Sequence, residues 1–323
     1  MGSNFIHHIL TSARGVRVVN LDLLTYAGTV ENVRGLSSQQ YRFVRGDLCN
    51  TKLLARLMRD VDYVVNFAAE THVDRSIHGD DGAFVQTNIV GVHSLLRALS
   101  LSPRVRMCIH ISTDEVWGDL PLTSRSAYTE ASPFRPNSPY AASKAAGDLL
   151  VRSYVETFNL PIIVTHATNN FGPRQFPEKM IPFFITRALK GVPLPLYGDG
   201  RHRRDWLHVD DHSRAISLLL EKGEAGGVYA ISRQGKEYSN MDVAKRILAH
   251  THKPLSLITH VADRPGHDRQ YRVNSAKLRS LGWEPKISLE EGLHATITWY
   301  TEHAEWVRAT ERRAKRLNPH IQI

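Results

Sequence analysis

Cysteines, long apolar runs and metal-ligand patterns are scarce or absent in this sequence. The 323 residues include two cysteines, Cys49 and Cys108, which excludes a disulfide-based scaffold and makes a reducing cytoplasm the expected compartment. No apolar run approaches the roughly 20 residues of a membrane span, and no signal-peptide pattern opens the sequence. No set of His, Cys and carboxylate residues has the spacing of a metal site, so we expect no metal.

The charge is strongly positive but is not concentrated in one patch. The formal net charge is +9 at pH 7, and the basic residues are scattered along the chain. The group Arg201 to Arg204 lies in one predicted loop and has no interleaved aromatic residues. We therefore expect neither nucleic acid nor a membrane as a partner. A small-molecule ligand that carries a diphosphate would be favoured by such a charge.

Apolar segments of strand length alternate with helical patterns through the amino-terminal half of the chain. The alternation predicts an α/β fold, a doubly wound Rossmann-type parallel sheet with crossover helices. The predicted strands are Val16 to Leu21, Tyr41 to Val44, Val61 to Phe67, a strand that ends at Thr113, and Ile162 to Ala167. The predicted helices are 51–60, Ala83 to Leu99 and Tyr140 to Phe158. Prolines interrupt the pattern beyond Phe171, which indicates a smaller second α/β domain.

A tyrosine and a lysine four residues apart provide a candidate base. Tyr140 and Lys144 lie one helical turn apart, so their side chains share a face. A free phenol has a pKa of about 10, and a neighbouring ammonium favours the phenolate, so we expect the pKa of Tyr140 to be lowered. A hydroxyl at the end of the preceding strand, from Ser112 or Thr113, would share a substrate hydroxyl with this phenol. By itself the pair is equally compatible with two unrelated residues on an exposed helix.

Two adjacent carboxyl residues follow the same strand. Asp114 and Glu115 come directly after Thr113. Burial and a neighbouring like charge separate the pKa values of such a pair, so that one carboxyl stays protonated while the other is ionised. An acid and a base beside a phenol are the equipment for oxidising a sugar hydroxyl and then eliminating water beside the new ketone. A surface Asp-Glu turn is the alternative.

Longer sequence strings, together with these motifs, resemble a known family. They are 68–77 (AAETHVDRSI), 113–118 (TDEVWG), 169–173 (NNFGP), 176–179 (FPEK), 204–207 (RDWL) and 262–268 (ADRPGHD). They are similar to the dTDP-glucose 4,6-dehydratase family of the extended short-chain dehydrogenase/reductase superfamily, from Gly2 to about Trp306. The resemblance implies an NAD-dependent lyase of deoxysugar biosynthesis, a homodimer that meets its second copy through helices 83–99 and 140–158. It also implies an NAD-binding domain of residues 1–171 and 204–232 and a substrate-binding domain of 172–203 and 233–323.

The amino terminus departs from the family pattern. Family members begin with a strand and a G-x-x-G-x-x-G turn, of which only Gly2 is present here. Backbone N–H groups of that turn meet the pyrophosphate of NAD, and the strand would be central, so that its absence exposes two ladder edges. A misassigned start, a truncated chain and weak NAD binding each account for the difference. We expect the first, because the remaining motifs are intact.

The resemblance places NAD against the strand ends. Asp22 ends the strand after the first helix, where a carboxylate accepts the adenosine ribose hydroxyls and disfavours the 2′-phosphate of NADP. An Asp that merely caps a turn is the alternative. The other residues assigned to the cofactor are Gly2, Leu24, Thr25, Ala27, Gly28, Asp47, Leu48, Ala68, Ala69, Thr71, Thr87, Tyr140, Lys144 and Asn170.

Roles in the reaction are also implied by the resemblance. Tyr140, supported by Thr113 and Lys144, takes the proton of the C4 hydroxyl as hydride leaves C4 for NAD. Glu115 then removes the C5 proton while Asp114 protonates the departing C6 hydroxyl, and hydride returns to C6, so NAD is regenerated. Substrate contacts are implied for His72, Thr113, Asn169, Asn170, Glu178, Lys179, Arg204, Asn240, Arg264 and His267.

Two other functions remain open at this point. The same chemistry would serve UDP-glucose or another nucleotide sugar, because the contacts that separate thymine from uracil are not evident in the sequence. Alternatively, the chain is a non-catalytic paralogue that binds a nucleotide sugar. The amino terminus favours that reading, and the presence of every catalytic motif disfavours it. The polar, basic tail, Glu311 to Ile323, is expected to be a surface segment without a specific role.

Overall fold

A computed structural model describes residues 1–314 of the chain. The strands are β1 Val18–Asp22, β2 Tyr41–Arg45, β3 Tyr63–Asn66, β4 Met107–Thr113, β5 Ile162–Ala167, β6 Asn169–Phe171, β7 Leu194–Tyr197, β8 Arg203–Arg204, β9 Trp206–His208, β10 Val228–Ile231, β11 Tyr238–Ser239 and β12 Ile258–Val261. The helices are α1 Gly2–Ser12, α2 Thr51–Met58, α3 Val73–His78, α4 Gly82–Val85, α5 Val92–Ser100, α6 Pro139–Phe158, α7 Met180–Lys190, α8 Val209–Lys222, α9 Asn240–His250, α10 Ala276–Ser280, α11 Leu289–Glu302 and α12 Ala304–Ala314. Most of the predicted tail lies outside the described residues.

The central layer is a parallel sheet of four strands in the order β10-β5-β4-β3. Ile109 of β4 lies between Val65 of β3 and Ile163 of β5 in the register. β1 and β2 form a separate parallel pair. The carboxyl ends of the strands within each sheet therefore lie at one edge, where ligands bind in open α/β sheets. The Rossmann-type fold class predicted from the sequence is confirmed.

Local sequence explains the two elements that frame the site. All six residues of β5 are buried, as expected for a strand that is covered on both faces. α6 begins after Ser138, whose Oγ accepts a hydrogen bond from the N–H of Ala141 at 3.1 Å, and Pro139 occupies its first turn. The helix ends at Asn159, which adopts the left-handed conformation that stops helices.

Helices cover both faces of the four-stranded sheet. On one face α2, α5 and α6 bury a cluster that includes Leu96 and Val151. On the other face α1 and α8 pack through a cluster that includes Ile216. A further core joins α7, α9 and α11 around Ile247 and Leu293. This core lies mainly in the segments expected to bind substrate, and the domain boundaries stay a prediction.

The helix predicted for Ala83 to Leu99 is not a regular α-helix. A π-helical segment, Gln86–Gly91, joins α4 to α5. Asn88 in this segment is buried, and its side chain exchanges two hydrogen bonds of 3.0 Å with the backbone of Glu70. π-helical turns are rare and occur often near functional sites. The other predicted elements agree with the structure within a few residues at their ends.

The two cysteines, Cys49 and Cys108, form no disulfide with each other. Among the described helices, none combines the length and the apolar character that a membrane crossing requires.

A glycine allows α6 and the π-helical segment to approach each other closely. A Cβ atom at Gly147 would lie 2.7 Å from the carbonyl oxygen of Asn88 and 3.6 Å from Val92. Real Cβ atoms do not approach backbone that closely, so an alanine would force the two helices apart. The same contact fixes Asn88 relative to α6.

We expect Gly147→Ala to lower the free energy of unfolding by about 1–3 kcal/mol through overpacking, although Ala is a better helix former than Gly. The matched control is Ser153→Ala on the exposed side of α6, where we expect a change of no more than about 0.5 kcal/mol. Urea unfolding at neutral pH measures both. Equal stability of the two variants would show that the helices adjust without cost.

Candidate active site

The first group of the site forms where β4 ends and α6 begins. Thr113 caps a short 3-10 helix, Asp114–Trp117, and its Oγ1 accepts a hydrogen bond from the N–H of Glu115 at 3.3 Å. The N–H of Tyr140 donates to Ser76 Oγ at 3.2 Å, which fixes the start of α6 against α3. The hydroxyl of Thr113 donates to Asp114 Oδ1 at 3.3 Å and also lowers the pKa of the Tyr140 phenol. Thr113 and Tyr140 therefore belong to one group of the site.

Lys144 lies in the same buried region but is not directed only at the phenol. Its Nζ donates to the carbonyl oxygen of Ile111 at 2.8 Å, and its side chain is almost completely buried. Ser112 does not share the substrate position, because its hydroxyl donates to Asp148 in the interior. Of the two hydroxyls considered, Thr113 is the one beside Tyr140.

The expected lowering of the Tyr140 pKa is wrong. Burial raises the pKa of Tyr140, the negative charges of Glu115 and Asp148 raise it further, and the hydroxyl of Thr113 opposes them only in part. The physical reason is that carboxylates act on a phenol in a low-dielectric site. Burial and these charges therefore favour the neutral phenol.

The two adjacent carboxyl groups are both affected by burial but to different degrees. Burial raises the pKa of Asp114 well above its usual range, and the neighbouring charge of Glu115 raises it further. Burial also raises the pKa of Glu115, whereas the charges of Arg264 and Lys179 lower it. This is the separation that the sequence predicted, with Asp114 as the more protonated member.

Three basic side chains from separate segments of the chain lie around this acid pair. Lys179 donates from Nζ to the carbonyl oxygen of Thr71 at 2.5 Å. Arg204 is buried and donates to the carbonyl oxygen of Asp268 at 2.8 Å. Arg264 lies 3.6 Å from Asp74. Lys179, Arg204 and Arg264 all lower the pKa of Glu115, so the chain folds these distant residues around one site.

A second contact joins the loop after β1 to the substrate region. The hydroxyl of Tyr26 donates to Glu178 Oε1 at 2.9 Å, and the guanidinium of Arg75 lies over the Tyr26 ring at 3.6 Å. His72 Nε2 lies 3.4 Å from the carbonyl oxygen of Glu178. The sequence did not single out Tyr26 as a site residue, and only its place in the loop between Asp22 and Gly28 hinted at a role.

Several buried oxygen atoms of this region have no hydrogen-bond partner among the described residues. They belong to Asp114 (Oδ2), Asn169 (Oδ1), Asn170 (Oδ1), Glu178 (Oε2) and Asn240 (Oδ1). Buried polar atoms without partners are costly. At these positions a polar ligand could supply the missing partners.

Most of the residues assigned to the cofactor lie at the carboxyl ends of β1, β2 and β3 or at the amino terminus of α6. Asp22 Oδ1 accepts from the N–H of Leu24 at 2.7 Å, so this carboxylate does cap a turn, while the side chain remains exposed to a ligand. Gly28 closes that turn: a Cβ there would lie 2.8 Å from Cα of Leu24. Thr25 and Ala27 complete the loop. An exposed carboxylate in a tight turn of this kind could accept hydrogen bonds from ribose hydroxyls, and the role of Asp22 stays a prediction.

The remaining cofactor residues line the edges of both sheets. Asp47 follows β2 and accepts from the N–H of Cys49 at 2.8 Å. Leu48 packs against Gly91, where a Cβ would lie 3.1 Å from it. The others are Ala68, Ala69 and Thr71 after β3, Thr87 in the π-helical segment, Asn170 in β6, and Gly2 at the start of α1 beside Phe67. The set fits a dinucleotide that extends from β2 to α6.

Sequence reasoning missed Asn88. Its amide holds the backbone of Glu70 and donates to Ser143 Oγ at 2.9 Å, and thereby ties the segment after β3 to α6. An Asn within an apolar helical segment is the signal that would have found it, because a buried amide needs partners.

A cluster of His202, Asp263 and His267 brings potential metal-ligating atoms within 4.8 Å of one another. The two imidazole rings are stacked, with centroids 3.7 Å apart and planes 16° apart. Lone pairs of parallel rings do not converge on one ion. Asp263 instead bridges both rings, at 3.2 Å to His202 Nε2 and 2.7 Å to His267 Nδ1. The geometry favours a hydrogen-bonded support for His267 over a metal site.

Known proteins match this chain along most of its length. Residues 1–296 match the family described as GDP-mannose 4,6 dehydratase. The chain is 45% identical over 329 residues to the dTDP-glucose 4,6-dehydratase of Xanthomonas campestris pv. campestris, which covers 95% of this chain and 92% of that protein. The crystal structure of the dTDP-glucose 4,6-dehydratase DesIV from Streptomyces venezuelae, with NAD bound, has a TM-score of 0.91 and 42% identity over 96% of both chains. The enzyme from Bacillus anthracis in complex with NAD has a TM-score of 0.88 and 41% identity over 96% of both chains.

Glu178 generates a pH prediction. Burial raises the pKa of Glu178 to about 7, so the cost of ionising it in the folded protein is absent below its unfolded pKa and fully present above about pH 7. This group alone should lower the free energy of unfolding by about 3 kcal/mol between those limits. We expect Glu178→Gln to flatten the stability profile between about pH 5 and 7, as measured by urea unfolding.

The matched control is Glu284→Gln, because Glu284 is an exposed carboxylate paired with Arg279. Its stability profile should follow that of the unmodified protein. If the free energy of unfolding of Glu178→Gln fell with pH as steeply as that of the control variant, burial of Glu178 would not be the cause of the pH dependence.

Proposed function

The chain belongs to the dTDP-glucose 4,6-dehydratase family, and on that premise we infer that it dehydrates dTDP-glucose to dTDP-4-dehydro-6-deoxyglucose with NAD as its cofactor. The observation that carries this conclusion is the adjacent carboxyl pair, the buried Asp114 and the half-buried Glu115, in the same site as the phenol of Tyr140. Oxidation of the C4 hydroxyl needs a base and a hydride acceptor, whereas elimination of water also needs an acid and a second base. The protein is a hydro-lyase of deoxysugar biosynthesis, for example of the rhamnose route.

The strand ends would hold the cofactor. Asp22 and Gly28 would bind the adenosine ribose, Asp47 and Leu48 would contact the adenine, and Ala68 to Thr71 would lie on the nicotinamide side. When bound, NAD supplies the hydride acceptor for C4 and the hydride donor for C6, so it is regenerated in each turnover.

The first step is removal of the proton from the C4 hydroxyl. Tyr140 accepts this proton, and the hydroxyl of Thr113, which lowers the pKa of the phenol, orients the substrate hydroxyl. A phenol must be ionised to accept a proton, and positive charge favours that ionisation. The buried ammonium of Lys144 supplies such a charge.

The second step is elimination across C5 and C6. The C4 ketone acidifies the C5 proton, and Glu115 removes it as the base. Asp114 donates its proton to the departing C6 hydroxyl, which leaves as water. The stronger upward shift of the Asp114 pKa supports this division of roles, because an acid must hold its proton at the working pH.

Positive side chains account for recognition of the nucleotide diphosphate. Arg204, Arg264 and Lys179 come from separate segments and surround the acid pair. Guanidinium groups bind phosphate oxygens in pairs. Asn169, Asn170, Asn240, Glu178, His72 and His267 complete the substrate contacts that we propose.

Two further properties belong to the proposal. The unpaired state of Cys49 and Cys108 supports a reducing cytoplasm as the compartment. Exposed apolar side chains on α4, the π-helical segment and α6 support a homodimer: Val85, Val90, Leu149 and Phe158 are 40–55% exposed. We propose that a second copy covers these residues.

The experiment that tests the function is mass spectrometry of dTDP-glucose incubated with the purified chain and NAD. We expect a product that has lost one water. UDP-glucose and GDP-mannose in the same assay test the alternative substrates, and faster conversion of either would reassign the nucleotide. Binding of dTDP-glucose without any conversion would instead favour a non-catalytic paralogue.

We expect Asp114→Asn to slow elimination at least about tenfold more than C4 oxidation, since the amide cannot supply the proton that the C6 hydroxyl needs. Single-turnover absorbance of the reduced cofactor measures oxidation, and mass spectrometry measures water loss. Glu115→Gln is the companion variant, in which deuterium exchange at C5 should be lost as well. Equal slowing of C4 oxidation and of water loss in Asp114→Asn would show that Asp114 is not the acid of the elimination.

The dimer generates a separate prediction. Leu149→Asp places a charge in the centre of the proposed contact, and we expect it to halve the mass measured by size-exclusion chromatography with light scattering. Leu101→Asp is the control, because Leu101 is 72% exposed at the end of α5 and lies outside the proposed contact. A monomeric unmodified chain, or an unchanged mass for Leu149→Asp, would disprove the contact.

A further inference from the structure

A buried polar cluster lies beneath the Tyr140–Lys144 pair, and no reaction step described above uses it. It is formed by Asp148, one turn beyond Lys144 on α6, with His110 and Ser112 of β4 and His166 of β5, and we call it the Asp148 cluster. All four side chains are at most 6% exposed. Asp148 Oδ2 accepts from Ser112 Oγ at 2.7 Å and lies 3.0 Å from His166 Nε2, and His110 Nε2 lies 3.4 Å from Oδ1.

Hydrogen bonds determine how His110 is protonated. Asn66 Oδ1 accepts from the N–H of Ala68 at 3.1 Å, so the amide nitrogen of Asn66 faces His110 Nδ1, at 3.2 Å. His110 Nδ1 is therefore the acceptor, and in the neutral ring the proton is on Nε2, the atom that faces Asp148. Burial lowers the pKa of His110, which keeps the ring neutral.

The cluster therefore surrounds Asp148 with donors and leaves its charge in place. Although burial by itself raises the pKa of Asp148, the hydrogen bond with His166 and the imidazole of His110 at 3.4 Å outweigh it and hold that pKa below its usual range. A carboxylate with several donors remains ionised inside a protein. The interior beneath β4 thus contains a fixed negative charge.

Lys144 needs such a charge. Its ammonium is buried, and burial lowers the pKa of Lys144, opposed by the charge of Asp148. The titratable and charged groups that face this region are Tyr140 and Asp148 on α6, His110 on β4, Asp114 and Glu115 in the 3-10 helix, and His166 on β5. Among the described groups, Asp148 is the anion that acts on the pKa of Lys144.

We propose that Asp148 is a positioning residue for C4 oxidation: held by Ser112, His110 and His166, its carboxylate keeps the buried Lys144 ammonium charged, and Lys144 in turn favours ionisation of Tyr140. The inference rests on the proposed function, in which Tyr140 is the base. An uncompensated ammonium in a dry site would lose its proton. Without the ammonium, the phenol would keep its proton at neutral pH.

A direct effect of Asp148 on the phenol has the opposite sign. The negative charge of Asp148 also raises the pKa of Tyr140, but burial and the charge of Glu115 contribute more to that shift. For Lys144, Asp148 is the charged group among the described residues that raises the pKa against the effect of burial. The indirect route through Lys144 should therefore dominate, and the two routes predict shifts of the pH profile in opposite directions.

The test compares Asp148→Asn and Asp148→Ser, which remove the charge with different shapes, with Asp148→Glu, which keeps it. The readout is the pH profile of C4 oxidation in single turnover with dTDP-glucose and NAD. We expect both neutral variants to shift the acidic limb of the profile upward by at least about one pH unit, which is a tenfold loss at a pH on that limb. Asp148→Glu should retain the profile of the unmodified enzyme.

Ser112→Ala is the matched control, because it deletes one donor to the same carboxylate without changing the charge. It should lower Tm but leave the pH profile in place. A lower Tm with an unshifted profile in both neutral variants would reduce Asp148 to a structural role. An acidic shift would show that its direct effect on Tyr140 dominates. Either result overturns the proposal.

A second readout does not depend on activity. In a neutral variant, the cost of charging Lys144 in the folded state is present at low pH and is relieved as the pH rises toward the pKa of an unfolded lysine. The Tm difference between Asp148→Ser and Asp148→Glu should therefore narrow between about pH 6 and 9. A Tm difference that stays constant over this pH range would show that Asp148 does not compensate the charge of Lys144. If the unmodified chain fails to dehydrate the sugar, the proposed function falls, and this comparison still decides the role of Asp148.

Discussion

Burial of ionisable groups at the carboxyl end of β4 is the constraint on which the site depends. Asp114, Tyr140, Lys144 and Asp148 are all nearly inaccessible to solvent, so each charge must be balanced by a neighbour or be given up. Asp114 responds by keeping its proton. Asp148 accepts hydrogen bonds from its neighbours and keeps its charge. Two aspartates in one interior therefore differ in protonation because their hydrogen-bond partners differ.

The three basic side chains around the acid pair contribute to the same balance of charges. Arg204, Arg264 and Lys179 lie around the acid pair, and all three favour ionised Glu115. The charges proposed to recognise a diphosphate thus also adjust the base. Binding of an anionic substrate would neutralise part of this positive charge and make Glu115 a stronger base where elimination requires one.

The sequence predicted the scaffold well for a physical reason. Strand and helix periods are local, so β5, α6 and the turn at Asp22 could be located from short segments. The separation of the Asp114 and Glu115 pKa values followed from their adjacency and agrees with their different pKa shifts. The prediction for the pKa of Tyr140 was wrong because it considered only the lysine one turn away. It did not include burial of the phenol or the charges of Glu115 and Asp148, which folding places near it.

The sequence by itself determined the fold class, the motifs at the strand ends and the family, because each is encoded by residues close together in the chain. Only the tertiary structure decided what those residues experience. It joined Tyr26 to Glu178 across 152 positions, placed Asn88 between the segment after β3 and α6, and enclosed Asp148 among two histidines and a serine. Electrostatic energies depend on distance and on exclusion of water, and neither is fixed until distant segments pack together.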